Sequence, residues 1–199
     1  DARAEDQRII ALCRAATQIG SLDPAGLELF DVLGAVDPDD RSAEARAWLH
    51  RARAIRHMRD FDVAIDAFTR AYRAYVEAGD ARLAALMGLF LSSTYTWIGA
   101  WERAEATVEE TTLLVRRLGA TYLVTWARYT AAKALAETAP LAQALEALDA
   151  VVAATVQSPR MQAGALVYAA IASLRASAFD LAEDYATRAA SAHSSGDTL

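Results

Sequence analysis

The segment FDVAIDAFTRAY, residues 61–72, returns in altered form three more times, as WERAEATVEETT at 101–112, LAQALEALDAVV at 141–152 and FDLAEDYATRAA at 179–190. Three of the four begin with an aromatic residue followed by an acid. A small residue sits near each start, at Ala64, Ala104, Ala144 and Ala182, with Gly26 as a weaker earlier member, and the spacings are 38, 40, 40 and 38 residues. A period of this size signals stacked helix pairs, because one helical hairpin cannot bury its own apolar stripe and needs neighbours to do so. The small residue lets the second helix of a pair cross its partner closely. The larger residue a turn later, Phe68, Val108 or Leu148, fills the gap.

Outward from these segments, helix stop signals recur at VDPDD (36–40), EAGD (77–80), RLGAT (117–121), ETAP (137–140) and QSP (157–159), each ending one helical pattern and capping the next. Ten helices are predicted, over 2–19, 24–36, 42–58, 61–78, 81–98, 101–118, 121–137, 141–156, 160–176 and 179–195. The composition agrees. Of the 199 residues 54% are hydrophobic, alanine is abundant, and Gly (9) and Pro (4) are scarce, so the intrinsic preference is helical nearly throughout and the fold class is all-α.

The totals also exclude several function classes. A net charge of −6 argues against a general polyanion binder, which usually carries a basic excess to displace counterions from phosphates. The longest apolar run, AGALVYAAIASL at 163–174, is shorter than the ~20 residues that cross a bilayer. The lone Cys13, beside Leu12 and Ala16, reads as a small buried hydrophobe, and the cytoplasm is the expected compartment. An opening residue Asp1 and a closing SGDTL straight after a helical pattern suggest that residues 1–199 are a single repeat domain cut from a longer protein.

In the second pair Trp48, Ala52, Ile55, Ala64, Phe68 and Ala71 follow in order the aromatic, small, large, small, aromatic, small signature of the tetratricopeptide-repeat (TPR) family. The third pair keeps Ser92, Tyr95 and Ala104 but has Gly88 and Thr111 where an aromatic and an alanine are usual. The chain thus resembles that family over nearly its whole length, with a repeat longer than the usual ~34 residues. Longer repeats of this kind are similar to the helical arrays of bacterial LuxR-type regulators related to the maltose activator and of multidomain serine/threonine kinases. A HEAT-like array has a comparable period. The resemblance implies a right-handed α-solenoid of about five antiparallel hairpins whose first helices line a concave surface.

One stretch stands out from this packing pattern: RAWLHRARAIRHMRDF, residues 46–61, holds five arginines and two histidines in a chain of negative charge. At about 100° per residue, Arg46, His50, Arg53 and His57 form one stripe opposite Trp48, Ala52 and Ile55, which places the basic stripe in solvent and the tryptophan inside. By the resemblance, the lining positions are Arg46, Leu49, Arg53, Arg56 and His57 in the second pair and Leu86, Leu89, Ser93, Thr96 and Trp97 in the third. The fourth pair adds Trp126, Tyr129, Lys133 and Glu137, and the fifth Val167, Ile171 and Arg175. Such a groove, basic at one end and aromatic in the middle, suits an acidic or carboxylate-ended peptide with hydrophobic anchors. The plainer reading has these arginines paired with Asp60, Asp62 and Asp66 on a solvated face. Trp97, near its helix end, reads as packing, and Tyr129 as exposed. The family's carboxylate clamp needs paired lysines and asparagines; this chain has no asparagine and one lysine, Lys133.

Catalytic motifs are missing: there is no phosphate-binding glycine loop, no zinc-ligand spacing, no G-x-S-x-G and no H-E-x-x-H. No cofactor or metal is expected, and no catalytic residue. Nucleic acid recedes as well, because the arginines do not recur from repeat to repeat as reading residues would. The expected function is a non-catalytic module of a bacterial signalling or transcription-regulatory protein that binds a protein or peptide. A small-effector sensor, with Arg53, Trp126 and Tyr129 as contacts, and a structural or homodimerising array are the alternatives.

Overall fold

The computed structural model describes residues 2–20 and 22–194. Ten α-helices and no strand occur among them: α1 (Ala2–Ile19), α2 (Pro24–Gly34), α3 (Ala43–Arg56), α4 (Phe61–Glu77), α5 (Ala81–Trp97), α6 (Trp101–Leu118), α7 (Thr121–Thr138), α8 (Leu141–Ala154), α9 (Pro159–Arg175) and α10 (Phe179–Ser194). The predicted end of the last helix, at residue 195, lies outside the described residues. Elsewhere the predicted bounds differ by at most two residues, chiefly at C-termini, where α2, α3 and α8 stop earlier; His57 after α3 and Thr155 after α8 have left helical geometry.

The described residues up to Ile98 and those from Gly99 on form two compact units of five helices each. In the first, each helix packs on its successor, and α1 also packs on α3. Its helix starts are fixed by side chains: Asp23, Ser42, Asp60 and Asp80 each accept a hydrogen bond from a backbone N–H of the first turn. Of these caps only Asp80 lies in a predicted stop signal, and α7, α8 and α9 start without a side-chain cap, so RLGAT, ETAP and QSP end one helix without capping the next through a side chain. The core gathers Ile10, Cys13, Phe30, Trp48, Phe68, Tyr75 and Met87. Cys13 is fully buried, which pushes its thiol pKa up to about 12. It is an inert packing residue.

The periodic small residues face the packed interior. Ala64, Ala104, Ala144 and Ala182 are all buried, as are the larger residues Phe68, Val108 and Leu148 that follow them. Gly26 is the tightest case: a Cβ there would lie 2.1 Å from the Gly20 carbonyl oxygen, so no side chain fits without moving the backbone.

In the second unit, α6 ends on Gly119, whose φ of 62° is the left-handed cap that glycine adopts without strain. The core there is built from Ala144, Leu148, Val151, Leu166, Ala169 and Tyr185. Polar side chains tie its layers together. The Tyr185 hydroxyl on α10 donates to Asp149 on α8 at 2.9 Å, and Arg175 on α9 donates to the Ala136 carbonyl and pairs with Glu137 on α7 at 3.2 Å. Buried Thr111, Thr130, Thr155 and Ser173 donate to carbonyls one turn back, so their hydroxyls are satisfied within their own helices.

Candidate functional site

Along α3 the basic residues divide by partner. Arg46 is held by Glu77 at the end of α4, and Arg56 by Asp31 on α2 at 3.2 Å. Arg51 lies over the Trp48 ring, 4.7 Å from its centroid, with Arg14 at 5.0 Å. Arg53 is exposed and has no ion pair among the described residues. The aspartates expected as partners act elsewhere: Asp60 caps α4, and Asp66 binds Arg70 on its own helix.

The exposed stripe is broken in its middle. Trp48 turns inward as expected, at 7% exposure, but His50 is also buried, at 6%. Its neighbours on the stripe, Arg53 and His57, are exposed, and Arg46 is half-buried. Burial, then the Arg70 and Arg53 charges, hold the His50 pKa below its ordinary 6.5, so its imidazole is neutral at pH 7. Its Nδ1 has no hydrogen-bond partner among the described residues.

His50, Arg53 and Arg56 of α3, with His57 at its C-terminal cap, form one wall of a hollow of about 350 Å³. Phe30, Leu33 and Gly34 of α2 form the opposite wall, and Val36 and Pro38 lie in the connection. The predicted residues Arg53, Arg56 and His57 therefore come together around an apolar floor. Arg46 does not join them. Of the third set of lining positions, Leu89, Ser93 and Thr96 are buried and Leu86 is half-buried. Trp97, read from sequence as packed, is instead 50% exposed, because it sits at the open end of α5 and meets Phe61 at 6.3 Å between ring centroids.

In the second unit, Trp126 is half-buried edge-on to Tyr122, and Tyr129, expected to be exposed, is half-buried against Tyr168 of α9. Lys133 is 4% exposed, its ammonium 5.4 Å from the Tyr129 ring centroid and 5.2 Å from that of Tyr168. Burial lowers its pKa to about 8 and raises that of Tyr129 to about 12. The lysine belongs to the packing between α7 and α9. Val167 and Ile171 border an apolar hollow of about 570 Å³ between α9 and α10.

Gly164 on α9 makes the Tyr129 position possible. A Cβ there would lie 2.4 Å from the Tyr129 hydroxyl oxygen and 3.2 Å from the ring carbon that bears it. Gly164→Ala gains about 1 kcal/mol of helix propensity but drives the ring out of place, and a net loss of about 1–2 kcal/mol is expected in urea titration. In a Tyr129→Phe background the loss shrinks, since the nearest colliding atom is gone.

Three residues of the first hollow, Phe30, Leu33 and Gly34, escaped the sequence reading: no repeat partner marks the first two, and Gly34 falls inside the helix predicted over 24–36. A Cβ built on Gly34 meets nothing within 4 Å, so this position opens onto free space. Among the described residues no group of three or more His, Cys, Asp or Glu side chains could hold a metal ion, and no helix is long and apolar enough to cross a membrane.

No protein-family model matches the chain, and no curated protein matches it significantly in sequence. Solved structures do. It is similar to the crystal structure of a putative kinesin light chain with nearly identical TPR-like repeats from Podosopora anserina, with a TM-score of 0.62, 12% identity, and coverage of 98% of this chain and 99% of that one. A point-substituted form of that protein gives a TM-score of 0.68 at 13% identity, covering 98% of both chains. The fold is accordingly all-α and TPR-like, built of helices packed on their neighbours. TPR-like repeats are generally protein-interaction scaffolds without catalytic machinery.

Proposed function

We propose that this chain is the non-catalytic protein- or peptide-binding part of a larger bacterial signalling or transcription-regulatory protein, working in the cytoplasm. Its α3 arginines receive an acidic partner segment. The observation that supports this reading is Arg53, an exposed guanidinium with no ion pair among the described residues, one turn from Arg56 and beside an apolar floor. A guanidinium so placed offers two parallel donors to a carboxylate at little desolvation cost. The exposed Phe61 and Trp97 pair in the same unit offers contact area to an apolar anchor.

The test is binding of a fluorescent peptide library with Glu- and Asp-rich members and their Gln and Asn counterparts. Acidic members are expected to bind, with affinity falling as salt rises. Arg53→Glu combined with Arg56→Glu is expected to cut that affinity at least about tenfold while the fold persists, since the Arg56 pair with Asp31 is a surface contact of about 0–1 kcal/mol. Equal binding of acidic and amide members, or indifference to the double reversal, defeats the reading.

A further inference from the structure

The hollow between α2 and α3 differs from an open peptide track. Its volume of about 350 Å³ lies at the low end of the range that small molecules fill, roughly 300–1,000 Å³. Its walls separate by chemistry. Phe30, Leu33 and Leu49 give an apolar bed, while Arg53 and Arg56, three residues apart on α3, lie on one side of that helix and both border the cavity.

Two further observations bear on this space. Gly34, exposed at the end of α2, borders the hollow with nothing within 4 Å of where a side chain would start, so a larger residue has room to be introduced there. His50 borders the same space almost fully buried, with an Nδ1 that finds no partner among the described residues. Unsatisfied buried polar atoms are few in folded proteins and call for an explanation such as a ligand or a functional role.

We infer that this hollow binds a small organic monocarboxylate with an apolar body, its carboxylate on the Arg53 and Arg56 guanidiniums and its body on Phe30, Leu33 and Leu49. A bare inorganic anion would leave the apolar bed unused, and a neutral apolar molecule would leave Arg53 without the charge it faces. The inference shares its arginines with the peptide reading but stands on the hollow's volume and on the buried Nδ1 of His50, which that reading does not need.

Phenylacetate, 4-methylpentanoate and benzoate, with phenylacetamide and inorganic phosphate as controls, are titrated into the full chain by calorimetry and by melting temperature. At least one of the three acids is expected to bind saturably and raise the melting temperature, because a ligand of the folded state alone stabilises it. Phenylacetamide and phosphate are expected to do neither. Gly34→Leu is expected to abolish acid binding by occupying the space, with a melting temperature no lower than that of the parent. Arg53→Gln is expected to weaken acid binding at least about tenfold. No binding by any of the three acids at millimolar concentration overturns the inference, as does acid binding that survives Gly34→Leu. Acidic peptides that bind equally well to the Gly34→Leu protein, with no acid bound by the parent, overturn it and leave the peptide reading standing. Acids that bind where acidic peptides do not support it and remove the peptide reading.

Discussion

Phe68→Ala is expected to destabilise residues 1–98 by about 3–5 kcal/mol, a large share of the roughly 5–15 kcal/mol that holds a typical domain folded. Phe68 is 1% exposed on α4 and stacks on Phe90 of α5, with ring centroids 5.4 Å apart and planes 8° from parallel. Truncation removes the ring's burial and leaves a cavity between two helices that Ala64 and Ala67 already hold close, so the walls have little room to collapse. Phe68→Leu keeps most of the volume and should cost about 1–1.5 kcal/mol. Val76→Ala, on the same helix but 54% exposed, should stay within about 0.5 kcal/mol. Urea unfolding followed by circular dichroism orders the three variants. A loss below about 1 kcal/mol for Phe68→Ala would mean that the repeat's large residue is not a gap filler, and the packing account of the 38–40 residue period would lose its basis.

That account was legible in the sequence because it depends on spacing. Ala64, Ala104, Ala144 and Ala182 recur at nearly constant intervals, and a helix places whatever recurs on the same face, so burial at each could be read before any contact was known. The same geometry placed Arg46, His50, Arg53 and His57 on one stripe, and there it reached its limit. Angular position says which way a residue points but not what arrives opposite it. His50 is buried between its flanking turns by neighbouring elements, among them α4, whose Arg70 charge reaches it, while Arg53 one turn on stays in water. Partner choice was hidden for a related reason. Asp60 and Asp66 are near the arginines in sequence but serve α4 itself, whereas Glu77 and Asp31, 31 and 25 residues away from Arg46 and Arg56, reach α3 through tertiary packing. Gly34 illustrates the remainder: an opening in a wall has no residue to announce it.

Lys133→Met is expected to stabilise the protein at pH 7 by about 1–2 kcal/mol, although it removes the chain's one lysine and two ring contacts. Burial lowers the ammonium pKa from an ordinary 10.5 to about 8. Below pH 8 the group is charged in both folded and unfolded chains, and the folded state bears the full desolvation cost, about 3 kcal/mol. Methionine has similar length and no charge, so it escapes that cost while forfeiting cation–ring attraction of about 0.5–2 kcal/mol. Between pH 8 and 10.5 the folded lysine has shed its proton and the unfolded one has not. The unfolded state then binds more protons, and the parent gains stability with rising pH at up to about 1.4 kcal/mol per unit. The buried thiol of Cys13 acts in the opposite sense above pH 9, as do the buried phenols of Tyr75 and Tyr129 above pH 10, because these groups keep protons that the unfolded chain releases. The rise is therefore clearest between pH 8 and 9. Subtracting the Lys133→Met curve from the parent curve cancels the opposing groups, and the advantage of methionine should shrink across the interval from pH 8 to 10.5 and invert at its top, where the lysine bears no charge in the folded chain. A variant less stable than the parent at pH 7, or a difference flat in pH, would show that the two tyrosines more than repay the ammonium's burial, and Lys133 would have to be counted among the groups that hold α7 to α9.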